Sequence, residues 1–301
     1  MGYRKLFLKE YVETKDSDQT LVRDYKRLVL MLVRQLNAEN ISNLSTVAAP
    51  GDIQNVSGSD PVYHIEINEY NPNTTSTPET PAVYTGTSKL HSVRFSSEDV
   101  IQDQTNLLNY EYNCFKYINK NEEEDQNETH PQSTVFNLVP PSLSLQSIDK
   151  LYFILNNQTL VTNSNFKELV CEKLKRYIKS SKVVIHGEIL KYGDFIIRIG
   201  VITQNVKRRG ILIDIEFAPC GYCYLSENVI KEFMSTFIDI DPNSTTTLKF
   251  KIADLYSQNF DYSDFNLSTT YYSLSHHSVQ LVRLLAECGI LKLTAEIQAT
   301  Q

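Results

Sequence analysis

The sequence predicts an α+β fold, a largely antiparallel, β-barrel-like sheet flanked by helices. Two runs carry that expectation: Phe195-Ile-Ile-Arg-Ile-Gly-Val201 and Ile211-Leu-Ile-Asp-Ile-Glu-Phe217, separated by a short basic turn. Apolar residues occupy both faces of each run. Strands wet on one side alternate more cleanly, so this hairpin is expected to be covered on both sides. Amphipathic helical stripes lie before and after it. At 41% hydrophobic and 22% charged residues in 301, the chain has enough apolar surface to bury a real core.

From the N-terminus, Lys5 to Val12 reads as a strand. Asp16, Ser17 and Asp18 then offer N-caps for a helix whose buried stripe is Val22, Tyr25, Leu28/Val29, Leu32/Val33 and Leu36. Arg23, Lys26, Arg27 and Arg34 fall outside that stripe, as a solvated face. Val62 to Tyr70 and Leu90 to Phe95 are further strands. The segment 71–81 holds three prolines among small polar residues and predicts a loop. Residues 37–61 and the acidic stretch 119–132 are also expected as loop or disordered insertions in a single domain spanning 1–301.

The second half is denser. Leu151 to Leu155 and Thr159 to Thr162 flank Asn156-Asn157-Gln158 and predict a hairpin. The spacing of Phe166, Leu169/Val170, Leu174 and Tyr177/Ile178 predicts a helix from Asn165 to Lys179. Strands follow at Val183 to Leu190, Asp194 to Gln204 and Gly210 to Phe217. Ser226 is expected to open a helix with Val229/Ile230, Phe233 and Phe237 inward. Ser273 or Ser275 opens a last one, running through Ala286 and stopped by Gly289.

Composition excludes several classes of function. Lys plus Arg number 29 against 36 Asp plus Glu, a formal charge of −7, which disfavours stand-alone nucleic-acid binding. No apolar stretch approaches the about 20 residues that cross a bilayer, and neither end carries a lipidation pattern. No apolar run follows the basic residues of the opening, so a soluble intracellular chain is expected. Five cysteines, an odd number, then argue for reduced thiols.

Three groupings could carry chemistry. Cys220-Gly-Tyr-Cys223 lies between a strand and a helix, where a dithiol motif sits, and supports an alternative reading as a thiol-disulfide oxidoreductase. With Ser226 as the helix start, however, both thiols fall in the loop, away from the positive helix end. The remaining cysteines, Cys114, Cys171 and Cys288, are scattered, and adjacent His276 and His277 diverge on a helix, so no zinc set forms. Asp214 and Glu216 share a strand face and could pair on a metal, as in a triphosphate hydrolase. Arg198 on the neighbouring strand makes a salt bridge the simpler expectation. No phosphate loop, nucleophile elbow or HExxH helix is present. No catalytic, cofactor or metal site is therefore expected.

The block His186-Gly-Glu-Ile-Leu-Lys-Tyr-Gly-Asp-Phe-Ile-Ile-Arg-Ile-Gly-Val-Ile-Thr203, followed by Arg209-Gly-Ile-Leu-Ile-Asp-Ile-Glu-Phe-Ala-Pro-Cys220, resembles subunit 20 of the transcriptional Mediator complex. The matching positions are Gly187, Asp194, Phe195, Gly200, Gly210, Ile211, Glu216, Phe217, Pro219 and Cys220; Cys223 is not among them. The resemblance implies a nuclear, non-enzymatic coregulator of the Mediator head module. Its implied partners are subunit 18 in a heterodimer, subunit 8 as a tether, the other head subunits and the RNA polymerase II machinery. It implies no direct contact with nucleic acid or membrane.

Overall fold

The computed structural model describes residues 2–11, 17–41, 63–73, 88–95, 150–235, 251–252 and 262–292. Ten strands follow one another along these residues: β1 (Tyr3–Glu10), β2 (Glu39–Asn40), β3 (Tyr63–Pro72), β4 (Leu90–Arg94), β5 (Lys150–Leu155), β6 (Gln158–Asn163), β7 (Tyr177–Tyr192), β8 (Phe195–Gln204), β9 (Lys207–Phe217) and β10 (Lys251–Ile252). They form one sheet in the order β10-β1-β9-β8-β7-β3-β4-β5-β6, with β2 paired to β7. Every described ladder is antiparallel. The α+β class and the antiparallel sheet are as the sequence predicts. Closure into a barrel is not seen. Among the described residues β10 pairs only with β1 and β6 only with β5, so the sheet is open.

Helices cover its faces instead. They are α1 (Ser17–Gln35), α2 (Ser164–Lys167), α3 (Cys223–Ser235) and α4 (Leu274–Glu287), with a 3₁₀ turn at Tyr262–Phe265. Residues opposite one another in a ladder point to the same face. Arg4, Arg198, Asp214 and Glu216 therefore share one face with Tyr63. That face carries α4, whose residues Leu274 to Val282 are all buried. Lys5 and Lys9 lie on the other face, under α1 and α3. There Lys9 Nζ meets Asp24 of α1 at 2.8 Å, and Lys5 Nζ meets Glu227 of α3 at 3.0 Å. Phe233 of α3 stacks on Phe195 with ring centroids 4.0 Å apart. This double cover is why β8 and β9 are apolar on both sides.

The hairpins are tight. Gly193, Asn205 and Asn156 each take positive φ (54°, 55° and 54°) as the first residue of a two-residue loop. Such loops match the twist of the strands they join. The turn expected over residues 205–209 is thus only Asn205-Val206, and β9 starts at Lys207.

Three expectations are corrected. The helix predicted from Asn165 to Lys179 ends at Lys173, and its second half is one π-helical turn, Glu168–Lys173. Leu174 and Arg176 donate backbone bonds to Leu169 and Val170, and Lys175 turns the chain at φ 47°. Tyr177 and Ile178 then pair with Pro72 and Asn71, because β3 offers them a ladder that outcompetes a further helical turn. The same pairing takes Asn71 and Pro72 out of the expected 71–81 loop. Pro72 is tolerated as the last residue of its strand. Finally, Glu39–Asn40 forms β2 within the expected 37–61 insertion. Residues 42–61, 74–81, 119–132 and Phe237 lie outside the described residues.

Candidate functional site

The register of β1, β8 and β9 sets alternate side chains of a strongly apolar sheet to be charged. Arg4 lies opposite Glu216, and Arg198 lies opposite Asp214. All four are buried, none more than 3% exposed. Arg198 Nη2 stands 2.8 Å from Glu216 Oε2, and Arg4 Nε 3.2 Å from the same oxygen. Arg4 Nη1 is 3.4 Å from Asp214 Oδ2. Two guanidiniums and two carboxylates cancel, the condition for holding such charge in a dry interior. The Gly2 backbone N–H also donates to Glu216 Oε1 at 2.7 Å. Burial pushes the Glu216 carboxyl up, but Arg4, Arg198 and this N–H outweigh it and hold the group below the usual carboxylate range.

The last helix closes the cluster from above. His277 Nε2 is 3.4 Å from Asp214 Oδ2, and its Nδ1 is 3.1 Å from the Tyr272 hydroxyl. Tyr272 donates to Gln280 Oε1 at 2.8 Å, and Gln280 donates onward to the Tyr262 hydroxyl at 2.7 Å. Burial drives the Tyr272 phenol well above its ordinary pKa, keeping it a neutral donor. Adjacent His276 points elsewhere, its Nδ1 accepting from the Ser273 N–H at the helix start. The two histidines diverge, as their adjacency on a helix requires.

The chain makes room for this arrangement with two glycines. Gly187 and Gly200 face one another in the β7–β8 ladder, and Tyr63 lies across from Gly187. A Cβ on Gly200 would come within 2.5 Å of Ile185 Cγ2 and 3.1 Å of the Tyr63 ring. On Gly187 it would strike the Ile199 carbonyl. The Tyr63 ring therefore lies over bare backbone, and its hydroxyl reaches Asp214 Oδ2 at 3.5 Å.

The other motif positions shape the hairpin. Asp194 completes the Gly193 turn, and its carbonyl accepts from the Ala218 N–H at 3.0 Å. Phe195 and Phe217 pack together at 5.4 Å. Gly210 sits against the Lys9 carbonyl, where a Cβ would come to 2.6 Å, and Ile211 is wholly buried. Pro219 turns the chain away from β9. The Cys220 carbonyl accepts from the Tyr3 N–H at 2.8 Å and from the Ser226 hydroxyl at 3.3 Å. Only Glu216 of these ten joins the charge cluster.

The thiol reading shifts in one respect. The helix starts at Cys223 rather than Ser226, so the second cysteine, not the first, stands at its opening. Cys220 stays in the preceding loop as a free thiol. Among the described residues no group of three or more His, Cys, Asp or Glu side chains could hold a metal ion. Asp214 and Glu216 spend their charge on arginines. Arg4, Tyr63, Tyr272 and His277 were not foreseen as their neighbours. The available signal was Arg4 itself, a charge sharing its strand face with Leu6 and Leu8.

Fold and cluster together define an α+β sheet protein whose ionic centre is sealed as a packing element. A family model described as "TATA-binding related factor (TRF) of subunit 20 of Mediator complex" matches residues 63–285, and the chain belongs to this Mediator subunit 20 family. Mediator of RNA polymerase II transcription subunit 20 from Gallus gallus is 31% identical over 86 residues, 28% of this chain and 40% of that protein. The Homo sapiens protein of the same name is 30% identical over 86 residues, with the same coverage. The chain thus spans about two fifths of the length of the curated relatives it matches. A chain in the structure of the Schizosaccharomyces pombe Mediator head module aligns with 79% of this chain and 97% of its own length, at 10% identity and a TM-score of 0.26.

Proposed function

We propose that this chain is a non-catalytic transcription coregulator acting in the nucleus as a subunit of the Mediator head module. In this reading it heterodimerises with subunit 18, is tethered by subunit 8 and helps connect regulators to RNA polymerase II. Membership of the subunit 20 family over residues 63–285 carries the proposal. The hairpin supports it: Gly187 and Gly210 serve close backbone approach, Gly200 makes room for Ile185 and the Tyr63 ring, and Glu216 serves an internal ion pair. Such positions fix the shape of a sheet, which is what a scaffold requires of its interior.

The test is affinity purification of the tagged full-length chain from nuclear extract at mild salt. Subunit 18 and the other head proteins should co-purify, and purified subunit 18 mixed with the chain should give a single complex on sizing. Their absence from both would end the proposal. Replacing Cys220 and Cys223 together with Ser should leave the complex intact. Its loss, together with a thiolate titrating well below about 8.5, would favour dithiol chemistry instead.

A further inference from the structure

The far end of the sheet has its own small core. Between Glu69 and Tyr70 the β3–β7 register shifts, and beyond that point Tyr70, Leu90, Leu151 and Phe153 bury one another, away from the main core. Tyr70, Leu90 and Leu155 oppose one another across β3, β4 and β5, and Phe153 opposes Leu160 across β5 and β6. These residues share the face that α1 and α3 cover elsewhere in the sheet. Among the described residues the cover here is α2 and its π-helical turn, which lean Phe166 and Val170 over the strands. A groove of about 350 Å³ is left between them, with Arg176 at its rim. Leu160 on its floor is half exposed.

The segment that roofs the groove carries charge opposite to that of the chain as a whole, and Arg176 brings that charge to the groove lining, while Lys173 pairs with Glu168 at 3.2 Å. Between Ser164 and Arg176 there are four cations, Lys167, Lys173, Lys175 and Arg176, against two carboxylates, Glu168 and Glu172. The backbone bearing two of those cations is pinned. Asn73 Nδ2 donates to the Lys175 carbonyl, and the Asn73 N–H to that of Arg176, both at 2.8 Å. In a protein of net charge −7, an apolar groove under a basic segment selects an apolar peptide that carries its own acids. The geometry points to a docking site for an acidic-hydrophobic peptide segment of another protein. The apolar floor, both aliphatic and aromatic, suits Leu and Phe side chains, and Arg176 with its neighbours suits flanking carboxylates. This inference stands apart from the Mediator assignment, since the groove can bind such a peptide whether or not the head proteins co-purify.

Fluorescence anisotropy on the full chain tests it. The probes are a fluorescein-labelled synthetic peptide alternating Leu and Phe with Asp and Glu, and two counterparts with Lys or with Asn and Gln at the acidic positions. The acidic peptide should bind, more weakly as salt rises. The neutral one should bind about tenfold more weakly and the Lys one not measurably. Leu160→Asp and Arg176→Glu should each weaken the acidic peptide by about tenfold or more, at an unchanged melting temperature because both side chains are exposed. Equal binding of the Lys peptide, indifference to both substitutions, no binding at all, or displacement by a single-stranded oligonucleotide would each overturn the inference.

Discussion

Arg198 shows why the buried charges are costly to disturb. It ion-pairs with Glu216 in a buried setting, so Arg198→Leu leaves a carboxylate relying on Arg4 and one backbone N–H. Breaking a buried pair from one side costs about 3–5 kcal/mol, which chemical denaturation of the variant should show as a lower midpoint with an unchanged slope. A loss below about 1 kcal/mol would mean that the cluster is wetter than its burial indicates. Gly200→Ala tests the neighbouring space. The new methyl meets Ile185 and the Tyr63 ring, flexible obstacles, so about 1–3 kcal/mol is expected. Gly187→Ala should cost more, because the obstacle is the Ile199 backbone, and the order of the two losses is itself the check. At this scale the sequence was half legible. The Arg198 pairing with Asp214 and Glu216 follows from two adjacent apolar strands with charges at matching positions. Arg4 and His277 arrive from 210 and 63 residues away in the chain relative to Asp214, and no local pattern announces such partners.

The last helix depends on a histidine in its neutral form. Ser273 caps α4, His276 Nδ1 accepts from the Ser273 N–H, and His276 Nε2 lies 2.7 Å from the Ser268 carbonyl. Nδ1 accepting and Nε2 donating uses one tautomer completely, so a second proton would break the capping contact. Burial accordingly lowers the His276 pKa to about 4, and it does the same to His91 on β4. The unfolded chain binds these protons near pH 6.5, before the folded chain does. Stability from both groups is therefore complete above about pH 6.5 and is lost as pH falls toward 4. The slope approaches about 1.4 kcal/mol per pH unit for each histidine. Denaturation midpoints measured from pH 7 to 4.5 should trace this fall, and His276→Gln should flatten it. An unaltered slope in the variant would remove His276 from the account. Element by element, α4 was the most legible helix, since Ser273 and Gly289 mark its ends in plain sequence. The segment after Asn165 was the least. Its apolar spacing fits a helix through Ile178, and only the distant β3, pairing with Tyr177 and Ile178, converts the second half to strand.

Among the described residues the sheet carries two unequal cores. The larger is built on β1, β7, β8 and β9, between α4 on one face and α1 with α3 on the other. The smaller, at Tyr70, Leu90, Leu151 and Phe153, lies past the register shift and is roofed by one short, irregular helical segment. The sequence disclosed the larger core, because strands buried on both faces read as continuous apolar runs. It concealed the smaller, whose residues come from three separate strands, β3, β4 and β5, each giving only one or two of them. Stability should divide in the same way. Amides of β8 and β9 are flanked by ladders on both sides and by helices above and below, so they can exchange only when the whole domain unfolds. Amides of β6 have one described ladder neighbour and an exposed strand surface, so local opening exposes them at far lower free energy. Native-state hydrogen exchange should find β8 and β9 protected to the global unfolding free energy, with β6 and the π-helical turn several kcal/mol below it. Equal protection at both ends would show that the small core unfolds only with the large one, and that the groove beside it is as rigid as the buried charge cluster.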